Sequence, residues 1–196
     1  PRPIAAVDRT ALQHAFDDLP DPYRTVLWML RETGMRAGEA LALRLADVDL
    51  TASRETLFIR EAKNGRPRPV QIGDRFTPKT IRRLRKRMKE RADEPGHAPL
   101  FRSNRGSQLT YGALLYQWTK LCHTLGLVDA AGEPRYTIHQ LRHTRGSELV
   151  EQGYSLDIVQ AILGHRDPRS TQIYAELHAD QVRTALEQES TERIRR

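Results

Sequence analysis

The chain has 196 residues, the size of one domain or of a large domain with a tail. Hydrophobic residues make up 38% and charged residues 29%, a balance that supports a buried core and excludes disordered, collagenous and low-complexity classes. The chain has no run of eighteen apolar residues, no secretion signal and a single cysteine, Cys122, so we expect no membrane span, no internal disulfide and a cytoplasmic location. The net charge of +7 favours an anionic partner.

The first half of the chain predicts helices followed by a small sheet. Apolar residues recur at helical spacing through residues 12–19 and again through 23–30. Strand-like segments follow around Val48–Leu50, Thr56–Ile59 and Pro69–Ile72. The last two flank Asn64 and Gly65, a strong hairpin signal because both residues tolerate positive φ. We therefore predict a small antiparallel sheet.

Positive charge is concentrated in the next predicted helix. Residues 75–91 hold nine Lys or Arg and one acid, which leaves 23 basic and 24 acidic residues in the rest of the chain. Clustered cations bind the DNA backbone by releasing counterions. The alternative is a solvated helix face, since Ile81, Leu84 and Met88 form an apolar stripe beside the cations. The candidate DNA-binding residues of this helix are Arg82, Arg83, Arg85, Lys86 and Arg87.

The second half predicts a loop and then further helices. Residues 93–109 contain Gly and Pro and are typical of a loop. Thr110, Thr137 and Ser155 are placed to cap three helices, and Gly164 is placed to end the last of them. The whole pattern predicts a mainly α domain with a small antiparallel β-sheet.

Four short segments carry side chains suited to binding an anion. They contain Arg36, Lys63, His139 with Arg142, and His165 with Tyr174. Taken singly, each has an ordinary structural explanation, such as a surface ion pair or a core tyrosine with its hydroxyl at the surface. Taken together, they can surround one phosphate, and a water-poor clamp of this kind stabilises a five-coordinate phosphorus transition state. The tyrosine then offers a nucleophile.

A zinc site is the competing interpretation. His139 and His143 are four residues apart on a predicted helix, as in the H-E-x-x-H signature. Gln140 stands where that signature needs its general-base glutamate, and Arg142 would place a cation beside the metal. No Asp/Glu cluster suits magnesium either. The sequence therefore predicts a site without a metal.

The order and spacing of these segments resemble the catalytic domain of the tyrosine recombinases, or phage integrases, from about Ala11 to Glu176. The matching motifs are R-x-x-E at Arg36–Glu39, K-N-G at Lys63–Gly65, H-x-L-R-H-T at His139–Thr144, L-G-H at Leu163–His165, and Tyr174. The resemblance implies a catalytic set of Arg36, Lys63, His139, Arg142 and His165, with Tyr174 as nucleophile. It implies a supporting role for Glu39, which we expect to orient Arg36.

The resemblance also implies a function. A site-specific DNA recombinase cleaves and rejoins double-stranded DNA through a 3′-phosphotyrosyl intermediate, needs neither metal nor ATP nor another cofactor, and usually works as a tetramer on its recombination site. We expect such a protein to associate with the nucleoid. The same residues would also serve a type IB topoisomerase or a telomere resolvase. A DNA-binding regulator that has lost catalysis is the alternative from another class.

Some features depart from the family pattern. Arg145 and Gly146 stand where the family often has an aromatic residue and Ala, and Arg145 is a weak candidate for DNA binding. We assign residues 1–196 to one catalytic domain, with 179–196 as a C-terminal helix or tail. Family members usually carry an N-terminal domain that clamps the DNA. We expect this chain to be a fragment that lacks that domain.

Overall fold

A computed structural model of the chain describes residues 3–60, 67–74 and 77–164, and the single residues 171, 174, 175, 179 and 183. The helices in these ranges are α1 (Ala6–Phe16), α2 (Tyr23–Thr33), α3 (Ala37–Leu41), α4 (Pro78–Glu90), α5 (Tyr111–Thr124), α6 (Gln140–Glu151) and α7 (Leu156–Leu163). A 3₁₀ turn at Leu45–Asp47 leads into strands β1 (Val48–Asp49), β2 (Thr56–Ile59) and β3 (Arg68–Gln71). The predicted mainly helical domain with a small antiparallel sheet is confirmed. None of the helices described is long and apolar enough to cross a lipid bilayer.

The sheet has the order β1-β2-β3, and both pairings are antiparallel. Leu57 and Ile59 point to the core, whereas Phe58 between them is exposed, as the alternation of a half-buried strand requires. The β2–β3 pairing ends at Ile59 opposite Arg68. The two predicted hairpin strands are thus confirmed, and the predicted turn at Asn64-Gly65 lies outside the described residues.

Helix α2 lies at the centre of the fold and packs against α1, α3, α4 and α6. It is buried on most of its surface because its apolar residues are not confined to one stripe. Three large aromatic side chains form the middle of the core. The Phe16 ring meets Trp28 edge-on at 5.7 Å and Trp118 at 6.3 Å between centroids. This packing fixes α2, whose C-terminal end leads into the first candidate segment.

The start of α6 differs from the prediction. Thr110 caps α5 as expected, because its hydroxyl accepts the Ala113 N–H at 3.2 Å. Thr137 does not cap α6 in this way: its own N–H donates to the side chain of Gln140 at 2.7 Å, and the helix begins at Gln140. The prediction of a Thr137 cap was wrong, because a side chain further along the chain takes up the local hydrogen bond. His139 consequently stands at the N-terminal boundary of α6.

A second, smaller apolar cluster lies where α7 meets α6. It consists of Leu149, Val150, Val159, Leu163 and Tyr174. Tyr174 is thus packed against α6, which contains most of the H-x-L-R-H-T motif, and against α7, the next helix along the chain.

Candidate active site

The turn between α2 and α3 holds Arg36 against a buried carboxylate. Glu39, whose side chain is 2% exposed, accepts the backbone N–H of Arg36 at 3.0 Å and its Nη1 at 3.1 Å. Burial alone would raise the pKa of Glu39, but hydrogen bonds from Arg68 and the Arg36 backbone outweigh it and hold the pKa below its usual range. Glu39 is therefore an anion that anchors Arg36, while a third of the Arg36 side chain stays exposed.

Arg142 is buried with one nitrogen unpaired. It is 3% exposed, and its Nη1 donates to the Gly34 carbonyl at 2.8 Å. Gly34 ends α2 with φ +68°, and a Cβ there would lie 2.5 Å from Leu163 Cδ2, so glycine is needed for both reasons. Nη2 of Arg142 has no hydrogen-bond partner among the residues described. A buried donor without a partner costs free energy, and a ligand oxygen that accepted a hydrogen bond from this nitrogen would remove that cost.

Arg36, His139 and Arg142 line one cavity of about 200 Å³. Tyr111, at the start of α5, also borders it. Burial, and then the charge of Arg142, lowers the pKa of His139, so its imidazole is neutral at pH 7. Burial, and then the charge of Arg36, lowers the pKa of Arg142 to about 10, which leaves it a cation. The cavity is therefore lined by two cations and a neutral imidazole, a combination suited to binding an anion.

Tyr174 is 3% exposed and lies against α6. Its ring packs so closely on Gly146 that a Cβ there would lie 2.3 Å from Cζ of the tyrosine. Its hydroxyl is 3.4 Å from Nδ1 of His143. Burial raises the pKa of Tyr174 to about 12, against the opposing charge of Arg142. The hydroxyl is therefore protonated at neutral pH and needs a proton acceptor before it can act as a nucleophile.

The sequence pointed to His143 only as a zinc ligand, whereas the structure places it between His139 and Tyr174. The His139 and His143 rings meet edge-on with centroids 4.8 Å apart. Burial, and then repulsion between the protonated forms of the two histidines, lowers the pKa of His143 to about 4. In the described part of the chain, no three His, Cys, Asp or Glu side chains are grouped to hold a metal ion. The signal for His143 was its spacing of four residues from His139, which places both on one helical face.

Arg68 is the second residue that sequence reasoning missed. Both of its terminal nitrogens donate to Glu39, at 3.1 and 3.0 Å, so that this carboxylate binds two arginines. Nothing local in the sequence distinguishes Arg68 from the neighbouring arginines of the hairpin. The partner that gives it a role lies 29 residues away.

Two residues of the predicted catalytic set lie outside the described residues. Lys63 belongs to the connection between β2 and β3, and His165 follows the glycine that ends α7. Both remain predictions.

The predicted DNA-binding residues of α4 differ in whether they pair with acids outside the helix, and Arg85 is both exposed and paired. Arg82 and Lys86 are exposed, and Lys86 is 3.7 Å from Glu90 on the same helix face. Three others pair with acids elsewhere in the chain: Arg83 with Asp17, Arg85 with Asp74 and Glu55, and Arg87 with Asp21. These pairs are consistent with a helix whose cations hold it to the domain, and a role in DNA binding remains a prediction.

Arg145 lies apart from the 200 Å³ cavity. Its aliphatic stem packs near Gly34: a Cβ placed at that position would lie 3.2 Å from Cγ of Arg145. It borders a different groove, which it shares with Glu32 and Glu148. Its assignment to DNA binding also stays a prediction.

The sequence and the fold of this chain were compared with those of known proteins. The model of the phage integrase family matches residues 6–181. The tyrosine recombinase XerC of Bacillus pumilus is 31% identical over 163 residues, which cover 82% of this chain and 51% of that protein. The chain spans about half the length of such curated relatives.

Solved structures show the same fold. The crystal structure of XerA recombinase superposes with a TM-score of 0.74 at 25% identity, over 96% of this chain and 64% of that one. The XerH site-specific recombinase, bound to a palindromic difH substrate in a post-cleavage complex, gives a TM-score of 0.72 at 24% identity, over 95% of this chain and 52% of that one.

Proposed function

Since this chain belongs to the phage integrase family, we propose that it carries the DNA-cleaving and rejoining centre of a tyrosine-type site-specific recombinase. The observation that carries the proposal is the convergence of Arg36, His139 and Arg142 on one cavity, with an unpaired nitrogen of Arg142 available to an anion. Tyr174 packs on α6, which contains Arg142 and begins directly after His139. A phosphodiester fits this arrangement, because its oxygens can bind the two cations and its phosphorus can be attacked by a nucleophile.

In the proposed reaction, Arg36 and Arg142 bind the non-bridging oxygens of the scissile phosphate. Their charges stabilise the five-coordinate phosphorus, which gains negative charge as the nucleophile arrives. Neutral His139 adds a hydrogen bond within the same cavity. The Tyr174 hydroxyl gives up its proton, for which neutral His143, with Nδ1 3.4 Å away, is a nearby acceptor, and the tyrosine oxygen forms a bond to phosphorus. The bond to the 5′-oxygen breaks at the same time, and that oxygen leaves with a proton. Attack by a 5′-hydroxyl on the phosphotyrosine reverses the step, so no external energy source is needed.

Lys63 and His165 complete the proposed set. An alkoxide is a poor leaving group, so the 5′-oxygen needs a general acid, and we assign that role to Lys63 on the β2–β3 connection. His165 follows α7 and is assigned to phosphate binding. Both assignments come from the family motifs that these residues match.

The proposed substrate is double-stranded DNA, and the proposed assembly is a tetramer. Exchange between two duplexes breaks four strands, and each copy of the chain has one nucleophile. Four copies therefore supply the four phosphotyrosyl bonds. We place this activity in the cytoplasm, on the nucleoid.

Covalent trapping tests the proposed function. A nicked suicide duplex that carries the recombination site loses a short fragment after cleavage, so the phosphotyrosyl complex accumulates and shifts on a denaturing gel. Tyr174→Phe removes one hydroxyl and should abolish the shifted band while leaving the fold and the DNA affinity intact. Adding EDTA should leave the wild-type band unchanged.

Two results would contradict the proposal. A shifted band that persists in Tyr174→Phe would identify another nucleophile. Loss of the wild-type band in EDTA, with recovery on adding zinc or magnesium, would show that cleavage depends on a metal.

A further inference from the structure

Glu39 binds two arginines that come from different parts of the chain. Its Oε1 accepts from Arg36 and from Arg68, both at 3.1 Å, and its Oε2 accepts the Arg36 backbone N–H and Arg68 Nη2, both at 3.0 Å. Arg68 therefore makes the bidentate contact, which is the stronger arrangement, and the Arg36 side chain makes a single contact through Nη1. A third of the Arg36 side chain is exposed.

Arg68 also reaches the end of α7. Its Nη2 lies 3.3 Å from the carbonyl oxygen of Leu163, the last residue of that helix. Gly164, which follows with φ +69°, has room for no side chain: a Cβ there would lie 2.2 Å from Nε of Arg68. Glycine thus meets two requirements, the left-handed end of the helix and the close approach of the arginine.

Arg68 links the segment of Arg36 to the end of α7. It is the first residue of β3, directly after the connection that contains Lys63. It shares a carboxylate with Arg36 and contacts the helix end that precedes His165. Its side chain is 18% exposed and does not line the 200 Å³ cavity.

We propose that Arg68 is a positioning residue, which occupies Glu39 so that the Arg36 guanidinium remains free to bind phosphate. A buried carboxylate left with a single arginine would form the bidentate pair with that arginine, because a fully satisfied charge is strongly preferred inside a protein. Without Arg68, the Arg36 guanidinium is drawn into the pair with Glu39 and away from the cavity. This inference rests on the proposed function, since it concerns the role of Arg36 in that reaction.

The same chain contains a matched arrangement away from the cavity. Asp47, with a side chain 2% exposed, accepts the backbone N–H of Arg44 three residues before it at 2.9 Å, and it pairs with Arg60 directly after β2. Each buried acid is thus neutralised by an arginine of the sheet region, Asp47 by Arg60 and Glu39 by Arg68. Only the Glu39 arrangement includes a residue that lines the cavity. Arg60→Met is therefore a control for the removal of a buried charge partner.

The test measures the rate of covalent complex formation on the suicide duplex with protein in excess, together with DNA affinity and thermal unfolding. Arg68→Met should cleave about 100-fold more slowly than wild type, the scale expected when a catalytic group is displaced by about 1 Å. Its DNA affinity should change much less, and Arg60→Met should cleave at the wild-type rate.

A second substitution tests the cause of the loss. In Glu39→Gln/Arg68→Met the neutral amide no longer competes for Arg36, so the double variant should cleave at least about tenfold faster than Arg68→Met.

The outcomes separate the inference from the proposed function. No covalent complex with wild-type protein would contradict the proposed function itself. If the wild-type protein does form the complex, three results would overturn the role of Arg68 alone. These are a wild-type cleavage rate in Arg68→Met, an equal loss of cleavage rate in Arg60→Met, or no gain in rate when Glu39→Gln is added to Arg68→Met. If Arg68→Met does not fold, Arg68→Lys takes its place, because one ammonium cannot bind both carboxylate oxygens in the bidentate geometry. We expect the same loss of cleavage rate in Arg68→Lys and the same gain when Glu39→Gln is added to it.

Discussion

At the scale of single residues, burial decides the protonation of the histidine that contacts Tyr174. Burial and the neighbouring His139 lower the pKa of His143 to about 4, whereas the pKa of a histidine in an unfolded chain is about 6.5. Between these values the unfolded chain binds a proton that the folded chain does not. Folding stability from this residue is therefore complete above about pH 6.5 and is lost as the pH falls toward 4.

This difference predicts a pH-dependent free energy of unfolding. At about 1.4 kcal/mol per pKa unit, His143 contributes at most about 3 kcal/mol to the loss between pH 7 and pH 4. His143→Gln cannot titrate, so its stability should change less across this range. Urea denaturation at pH 7 and pH 4.5 measures both proteins, and the titrating groups that do not interact with His143 cancel in the comparison. Equal losses in the two proteins would show that the histidine is charged in the folded state.

Lys63 allows a second prediction at this scale. If Lys63 protonates the departing 5′-oxygen, Lys63→Ala should slow cleavage by about 10²–10⁴-fold, the usual contribution of a general acid. A substrate with sulfur at the bridging 5′ position needs no proton, because a thiolate leaves readily, and it should be cleaved by Lys63→Ala at close to the wild-type rate. Arg36→Ala should show no such rescue, since its proposed role is charge stabilisation.

The sulfur substrate distinguishes the possible acids. If it fails to rescue Lys63→Ala, Lys63 binds or positions the DNA instead. The acid must then be sought at His139 or His165.

At the scale of elements, α4 shows how a highly basic helix is held to a folded domain. Ile81 and Leu84 are fully buried. Asp17, at the end of α1, accepts hydrogen bonds from Lys79 at 2.7 Å, from Arg83 at 2.6 Å and from the indole of Trp28 at 2.9 Å. Lys79 also lies over the Trp28 ring, with Nζ 3.9 Å from its centroid. Part of the charge cluster therefore stabilises the fold.

The two kinds of cation on α4 should respond differently to substitution. Arg83→Gln removes a partner of Asp17 and should lower the free energy of unfolding by about 1 kcal/mol, with no change in the salt dependence of DNA binding. Arg82→Gln/Lys86→Gln alters two exposed residues and should leave stability unchanged, while the slope of log K against log salt falls by about one for each DNA phosphate that the variant no longer binds. Thermal unfolding and binding at several salt concentrations measure both. An unchanged slope in the double variant would assign the exposed cations to solvation alone.

At the scale of the whole molecule, the product distinguishes a recombinase from enzymes with the same catalytic residues. In the proposed reaction each copy of the chain cleaves one strand, so exchange requires several copies on two duplexes. We expect two differently labelled duplexes with the recombination site to yield joined products of both labels. Relaxation of one supercoiled circle without exchange would instead identify a topoisomerase, and hairpin ends would identify a telomere resolvase.

Much of the architecture was predictable from the sequence because its causes are local. Helical spacing predicted α1 and α2, and a single hydroxyl predicted the cap of α5 at Thr110. The spacing of three residues predicted that His139 and Arg142 share one face of α6, and both line the cavity. The motifs placed the chain in its family because their order and distances along the chain are themselves sequence properties.

Only the tertiary structure decided how charged side chains that are far apart along the chain are paired. Arg83 finds its acid 66 residues earlier in the chain, and Arg68 contacts a carbonyl oxygen 95 residues later. His143 meets Tyr174 across 31 residues. Backbone hydrogen bonds and apolar periodicity depend on near neighbours and can be predicted along the chain. Which acid an arginine meets depends on which element faces it after packing, and that is a property of the folded chain.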